Sequence, residues 1–131
     1  MYGDSYLPIR FRTAWDSFCT AGLPALMTVF GNAGRWDTSN VEFADGRIVR
    51  YDKVDRTPSM QHIDYGLGVL EASVLAQYPN DRAFDLAELY RDLSRQGRIA
   101  GCEVSERFYE IGSPRGLAET SAFLTTASAS R

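Results

Sequence analysis

The spacing of apolar residues divides the chain into alternating helical and extended stretches. Phe11, Ala14, Trp15 and Phe18 fall at i, i+3, i+4 and i+7, which predicts an amphipathic helix, and Gly22 stands where such a helix can end in the left-handed conformation. Residues 24–30 (PALMTVF) carry no charge and suit a buried strand, although period alone does not separate this from a buried helical turn. Polar residues 31–40 then form a loop. Residues 40–44 and 47–53 flank Asp45-Gly46, a pair that readily takes the positive φ angles of a tight turn, and so predict an antiparallel hairpin. After a loop at 54–61, residues 62–79 divide into a strand near 63–66 and a helix-like stretch that stops before Pro79. Asp85 is placed to cap the next helix, with Glu88 reaching back, Leu86, Leu89, Tyr90 and Leu93 as its apolar face and Gly97 as its end. Residues 98–104 and 107–111 read as short strands. Ser113 and Pro114 open a last helix in which Leu117, Ser121 and Leu124 share a face. Strands alternating with helices, plus one hairpin, indicate an α/β sandwich with a mixed sheet, without repeats or an interdomain linker.

Composition narrows the possibilities. A chain of 131 residues is the size of one ordinary domain. Fourteen basic against seventeen acidic side chains give a formal charge of −3, and no basic run offers a polyanion-binding patch, so duplex nucleic acid is a poor candidate partner. Cys19 and Cys102 lack metal-ligand spacing and are expected to be free, buried thiols in a reducing compartment. No apolar stretch approaches the ~20 residues of a membrane span, and the opening MYGDSYLPIRF lacks the regions of a signal peptide. A soluble, cytoplasmic protein is expected, with residues 125–131 as a flexible tail.

Few residues carry chemistry on local grounds. Asp4 precedes a helix at what reads as the end of a strand, the edge where open α/β sheets bind ligands; it is there either a metal ligand or a helix cap. Lys53 ends a strand as either a phosphate contact or a solvated lysine. Gly66 either lets a ligand approach the backbone or marks a bulge, and Tyr65 is either a site wall or core. His62, the only histidine, reads as a strand-start residue, and no nucleophile-elbow pattern supports triad chemistry. Trp36 and Asp37 lie in a loop, where a single Trp is more often packed than binding.

Four segments taken in order change this reading: YGDSYLPI, SNVEFADGRIVRYDK, HIDYGLGVL and FYEIGSPRGLAETSAFL. Together they resemble sugar-1-phosphate nucleotidyltransferases, especially those making GDP-mannose or GDP-heptose, over residues 2–124. The resemblance implies a Rossmann-like three-layer α/β sandwich with a mixed sheet. It also implies transfer of a nucleotidyl group from a nucleoside triphosphate to a sugar 1-phosphate in nucleotide-sugar biosynthesis, with Mg²⁺ and release of pyrophosphate. Residue by residue it maps Asp4 onto the metal acid of the Gly-Asp motif and Glu110 onto the second metal acid, more often Asp in relatives. Lys53 maps onto the lysine on the sugar phosphate, while Asp64, Tyr65, Gly66 and Asn40 fall along the sugar site. Many relatives carry Asn where this chain has Asp64, which alters the expected hydroxyl contacts. The Gly-rich loop that binds the nucleotide in the family has no match here, so residues 1–124 are expected to be a partial domain lacking the nucleotide-binding units, inactive or nearly so in isolation. An uncovered sheet edge would then favour self-association or a partner supplying strands. The alternatives are a noncatalytic sugar-phosphate-binding module, half of a split enzyme, or a metal-dependent glycosyltransferase, the last without the Asp-x-Asp pair it would need.

Overall fold

The computed structural model describes residues 1–129. The elements are β1 (Ser5–Tyr6), α1 (Phe11–Ala21), β2 (Ala25–Gly31), β3 (Val41–Ala44), β4 (Arg47–Tyr51), β5 (His62–Leu70), α2 (Ala72–Leu75), α3 (Leu86–Arg95), β6 (Ile99–Val104), β7 (Tyr109–Glu110) and α4 (Pro114–Ala129). The fold is mixed α/β, and its main sheet is mixed as expected: β2 runs parallel to β6 and antiparallel to β5.

Strand β2 is the centre because both of its faces are covered. Ala25, Met27 and Val29 face the cluster built with Leu89, Tyr90 and Leu93 of α3, and Leu26 faces Ala14 of α1, so six consecutive residues are buried without alternation. Burying Leu89 and Leu93 contributes about 1.5–3 kcal/mol each. The hairpin forms as its sequence predicts, with Asp45 and Gly46 at φ 51° and 73°. It also joins the two ends of the sheet: Val41 pairs with His62 and Arg47 with Ala100, so the five strands close in the order β2-β5-β3-β4-β6. Each closure is a single pair, so beyond His62 and Ala100 the outer sides of β5 and β6 have no strand partner in this sheet among the described residues. The large apolar groups left exposed lie on helices, strands and loops alike, among them Trp15 on α1, Val49 on β4, Trp36 and Val54 in loops and Leu117 on α4.

Helix α1 ends at Gly22 in the left-handed conformation, and the Asp85 carboxylate accepts the Ala87 N–H at the start of α3. Glu88 completes no reciprocal box there; its own N–H donates to the Asp85 carbonyl. The largest departure is β5, which runs nine residues to Leu70 where a strand of about four followed by a helix was expected, and leaves α2 a single turn. Pairing with β2 over Ala25↔Leu70 to Gly31↔His62 holds it extended. Gly68 fits because a Cβ there would collide with the Tyr90 hydroxyl. In α4 the inward face is Gly116 and Thr120 with half-buried Phe123, which stacks on Tyr109 at 4.4 Å, and Leu117 faces solvent. The helix continues through part of the segment for which a tail is expected, and residues 130–131 lie outside the described residues. Both cysteines are free, but only Cys102 is buried; Cys19 is exposed on α1. No helix among the described residues is long and apolar enough to cross a membrane.

Candidate functional site

The short β1–β7 pair builds one wall of a cavity of about 210 Å³. Ser5 lies opposite Glu110 in its register and the Ile111 N–H donates to the Asp4 carbonyl, so Asp4 and Glu110 are brought to the same edge from opposite ends of the sequence. Both carboxylates border the cavity and both residues are exposed. Asp4 accepts only a 3.4 Å contact from the Ser5 hydroxyl, and the Glu110 carboxylate makes no hydrogen bond or ion pair among the described residues. Among the described residues no group of three or more His, Cys, Asp or Glu side chains is placed to hold a metal. Asp4 and Glu110 are oxygen donors of the kind Mg²⁺ uses, since that ion commonly takes one or two carboxylates and completes its shell with water and substrate phosphates.

The facing wall comes from the turn after β4 and from β5. The buried Asp52 accepts the N–H groups of Val54 and Asp55 at 3.0 Å each, a local turn that carries Lys53 at its first corner. Those backbone donors hold the Asp52 carboxyl below its ordinary range. Lys53 borders the cavity, is exposed and has no partner in an ion pair among the described residues. It is the only lysine in a chain whose other thirteen cationic residues are arginine. Asn40 ties the strands together: its N–H donates to the His62 carbonyl, its carbonyl accepts from Asp52 N–H, and its side-chain oxygen accepts from Asp64 N–H at 3.1 Å. The amide nitrogen remains unpartnered among the described residues on a side chain that borders the cavity.

Asp64 accepts the Tyr2 hydroxyl at 2.6 Å and the Gly66 N–H at 2.9 Å. Burial raises its carboxyl above the ordinary aspartate range, and the bonds from Tyr2 and Gly66 together with the nearby Lys53 charge oppose that rise. Burial, and after it the same contact with Asp64, pushes the Tyr2 phenol up, which keeps it a donor. A raised folded-state pKa means that folding takes up a proton between the ordinary and the raised value, so this group's contribution to stability falls as pH rises through that window. Asp64→Asn is expected to unfold at a higher temperature than the wild type at neutral pH, with the two converging as the pH is lowered. Thermal unfolding of both across that range checks it; parallel curves would show that Asp64 is not desolvated.

Asp4, Asn40, Lys53, Asp64, Tyr65 and Glu110 thus all border one cavity. Tyr65 and Gly66 are placed less openly than the charged groups. The Tyr65 ring packs in the core against Phe30 and Phe108, with its hydroxyl buried and unpartnered among the described residues, so it is a wall and offers no exposed hydrogen-bonding group. Gly66, at φ 100°, does permit a close approach, but by the protein itself: a Cβ there would lie 3.2 Å from the Tyr2 ring and 3.7 Å from the Ser5 hydroxyl. Sequence reasoning missed Tyr2, whose partner is 62 residues away; Asp37, noted there only as a loop residue, borders the cavity from the loop that buried Asn32 organises through its amide. His62 begins β5 as expected and pairs with Glu103 at 3.0 Å.

No family model matches the sequence, and no curated protein is matched by it. Among solved structures, the chain is similar to a protein described as a glucose-1-phosphate thymidylyltransferase from Bacillus anthracis, in complex with sucrose. The TM-score is 0.74 at 12% identity, over 92% of this chain and 51% of that one. The two share a fold, and this chain spans about half the length of that structure.

Proposed function

We propose that the chain forms the sugar-phosphate side of a sugar-1-phosphate nucleotidyltransferase, with a Rossmann-like sandwich as its parent architecture and Mg²⁺ held by Asp4 and Glu110. In this reaction an oxygen of the sugar phosphate attacks the α-phosphorus of a nucleoside triphosphate. A P–O bond forms as the bond from that phosphorus to the bridging oxygen breaks, and pyrophosphate leaves with the electron pair. The substrate is its own nucleophile, so the side chains need only hold two polyanions in line and offset their repulsion. Lys53 would meet the sugar phosphate as a compact charge, and the free Asn40 amide and the Asp64 carboxylate would orient sugar hydroxyls. Bound Mg²⁺ supplies Lewis-acid neutralisation of phosphate charge. The sequence segments resemble those of enzymes making GDP-linked manno sugars, and on that reading the protein works in the cytoplasm.

The observation that supports this reading is the convergence of Asp4, Asn40, Lys53, Asp64 and Glu110 on one cavity from five separate stretches of sequence. Calorimetry with mannose 1-phosphate, a manno-heptose 1-phosphate and glucose 1-phosphate tests it. Binding of at least one that strengthens with Mg²⁺, and that loses the Mg²⁺ effect in Asp4→Ala and Glu110→Ala, is expected. A folded chain that binds none of them would remove the reading.

A further inference from the structure

A second cavity, of about 250 Å³, adjoins the first and shares Phe108 and Glu110 with it. Three arginines border it: Arg35, Arg107 and Arg115. Each is anchored by part of its guanidinium and keeps part free. Arg35 donates through Nε and Nη2 to the carbonyls of Asn32 and Gly31. Arg107 lies over the Trp36 ring at 3.8 Å and over Tyr109 at 4.6 Å, with Nε on the Phe108 carbonyl and Nη2 on Glu119 at 2.9 Å. Arg115 uses Nε on the other Glu119 oxygen at 2.9 Å. Nη1 of Arg35 and Arg107, and both terminal nitrogens of Arg115, have no protein partner among the described residues. Glu119, held below its ordinary range by Arg115 and Arg107, fixes two of the cations.

Anchored guanidinium groups with free donors are suited to planar or tetrahedral oxyanions. Three cations stand against two carboxylates, Glu110 and Glu119, at the border of this cavity, and Mg²⁺ on Glu110 would add to the positive side, so the cavity suits an anion. Trp36, an exposed Trp, and Phe108 add apolar wall that a triphosphate, charged along its length, would not use. We infer that the sugar 1-phosphate taken by this chain carries a second anionic group, a carboxylate on a short apolar arm, which the Arg35–Arg107–Arg115 cavity binds. This rests on the site reading above, with the anomeric phosphate at Lys53, and it adds a determinant of substrate class.

The test compares sugar 1-phosphates that differ by one carboxylate, titrated into the full chain with Mg²⁺: N-acetylmuramic acid 1-phosphate against N-acetylglucosamine 1-phosphate, and glucuronic acid 1-phosphate against glucose 1-phosphate. In at least one pair the acidic member is expected to bind about tenfold or more tightly, the scale of one charge-assisted hydrogen bond. Arg35→Gln and Arg115→Gln, whose folding is checked by thermal unfolding, are expected to remove that preference and leave the neutral member unchanged. Equal binding within both pairs, or a preference that persists in both variants, overturns the inference while leaving the site reading intact. So does a nucleoside triphosphate whose binding weakens in the variants while the acidic sugar is unaffected, because the anion would then be the nucleotide's. If no sugar 1-phosphate binds, the site reading itself fails and this inference with it.

Discussion

Replacing Gly116 by alanine is expected to destabilise the fold by about 1–3 kcal/mol, the usual cost of forcing atoms into a filled space, and to weaken Mg²⁺-dependent binding at the same time. A Cβ on Gly116 would sit far inside van der Waals contact with the Glu110 carbonyl oxygen and 3.2 Å from its carbonyl carbon. The obstacle is backbone, so no rotamer change relieves it. The same turn is knit by the Gly116 N–H donating to the Ser113 hydroxyl at 3.0 Å and by Thr120 Oγ1 donating to the Gly116 carbonyl at 2.8 Å. Separating α4 from β7 therefore shifts Glu110 and the β1–β7 pair that sets Asp4 beside it. Gly3→Ala is the control, since a Cβ there meets nothing within 4 Å. Denaturant unfolding measures the stability term. Calorimetry of a sugar 1-phosphate with and without Mg²⁺ measures the site. A Gly116→Ala protein as stable as Gly3→Ala would mean that the α4–β7 packing is not what fixes Glu110.

That same contact explains part of what the sequence leaves hidden. The spacing of Leu117, Ser121 and Leu124 puts them on one face of α4, yet the helix approaches β7 too closely for large side chains, and Gly116 and Thr120 take the inner face. Hydrophobicity is a guide to burial only where there is room. The β5 difference has a related origin. Residues 67–70 carry no strong local signal, and their state is decided by pairing with β2 and by the Tyr90 hydroxyl above Gly68, partners remote in sequence. By contrast, the ends of α1 and α3 and the Asp45-Gly46 turn depend on one or two residues each, and there the local reading holds. The candidate site divides in the same way. Family resemblance picks out its charged and amide groups, and the structure brings them to one cavity; it does not indicate that Tyr2 would fill the space over Gly66 and hold Asp64.

Lys53→Ala is expected to cost the largest share of sugar-phosphate affinity, about 10–100-fold, the range for losing a hydrogen bond to a charged group. Its effect on unfolding should stay within about 0.5 kcal/mol, as for ordinary exposed positions, because Lys53 has no ion-pair partner among the described residues and the turn beneath it is held by Asp52 rather than by its own side chain. The separation of the two effects is informative: a residue that mattered only through packing would move both. Lys53→Arg preserves charge but replaces a point ammonium with a planar fork, and so is expected to recover part of the affinity. As the only lysine, Lys53 shares amine reactivity with the amino terminus alone. Mild reductive methylation followed by mass spectrometry can therefore follow it directly, and a bound sugar 1-phosphate should slow its labelling. A Lys53→Ala chain that binds sugar phosphate as tightly as the wild type would place the phosphate elsewhere. Since Asp64 and Asn40 face hydroxyls rather than an anion in this reading, the assignment of the cavity would then fail as a whole.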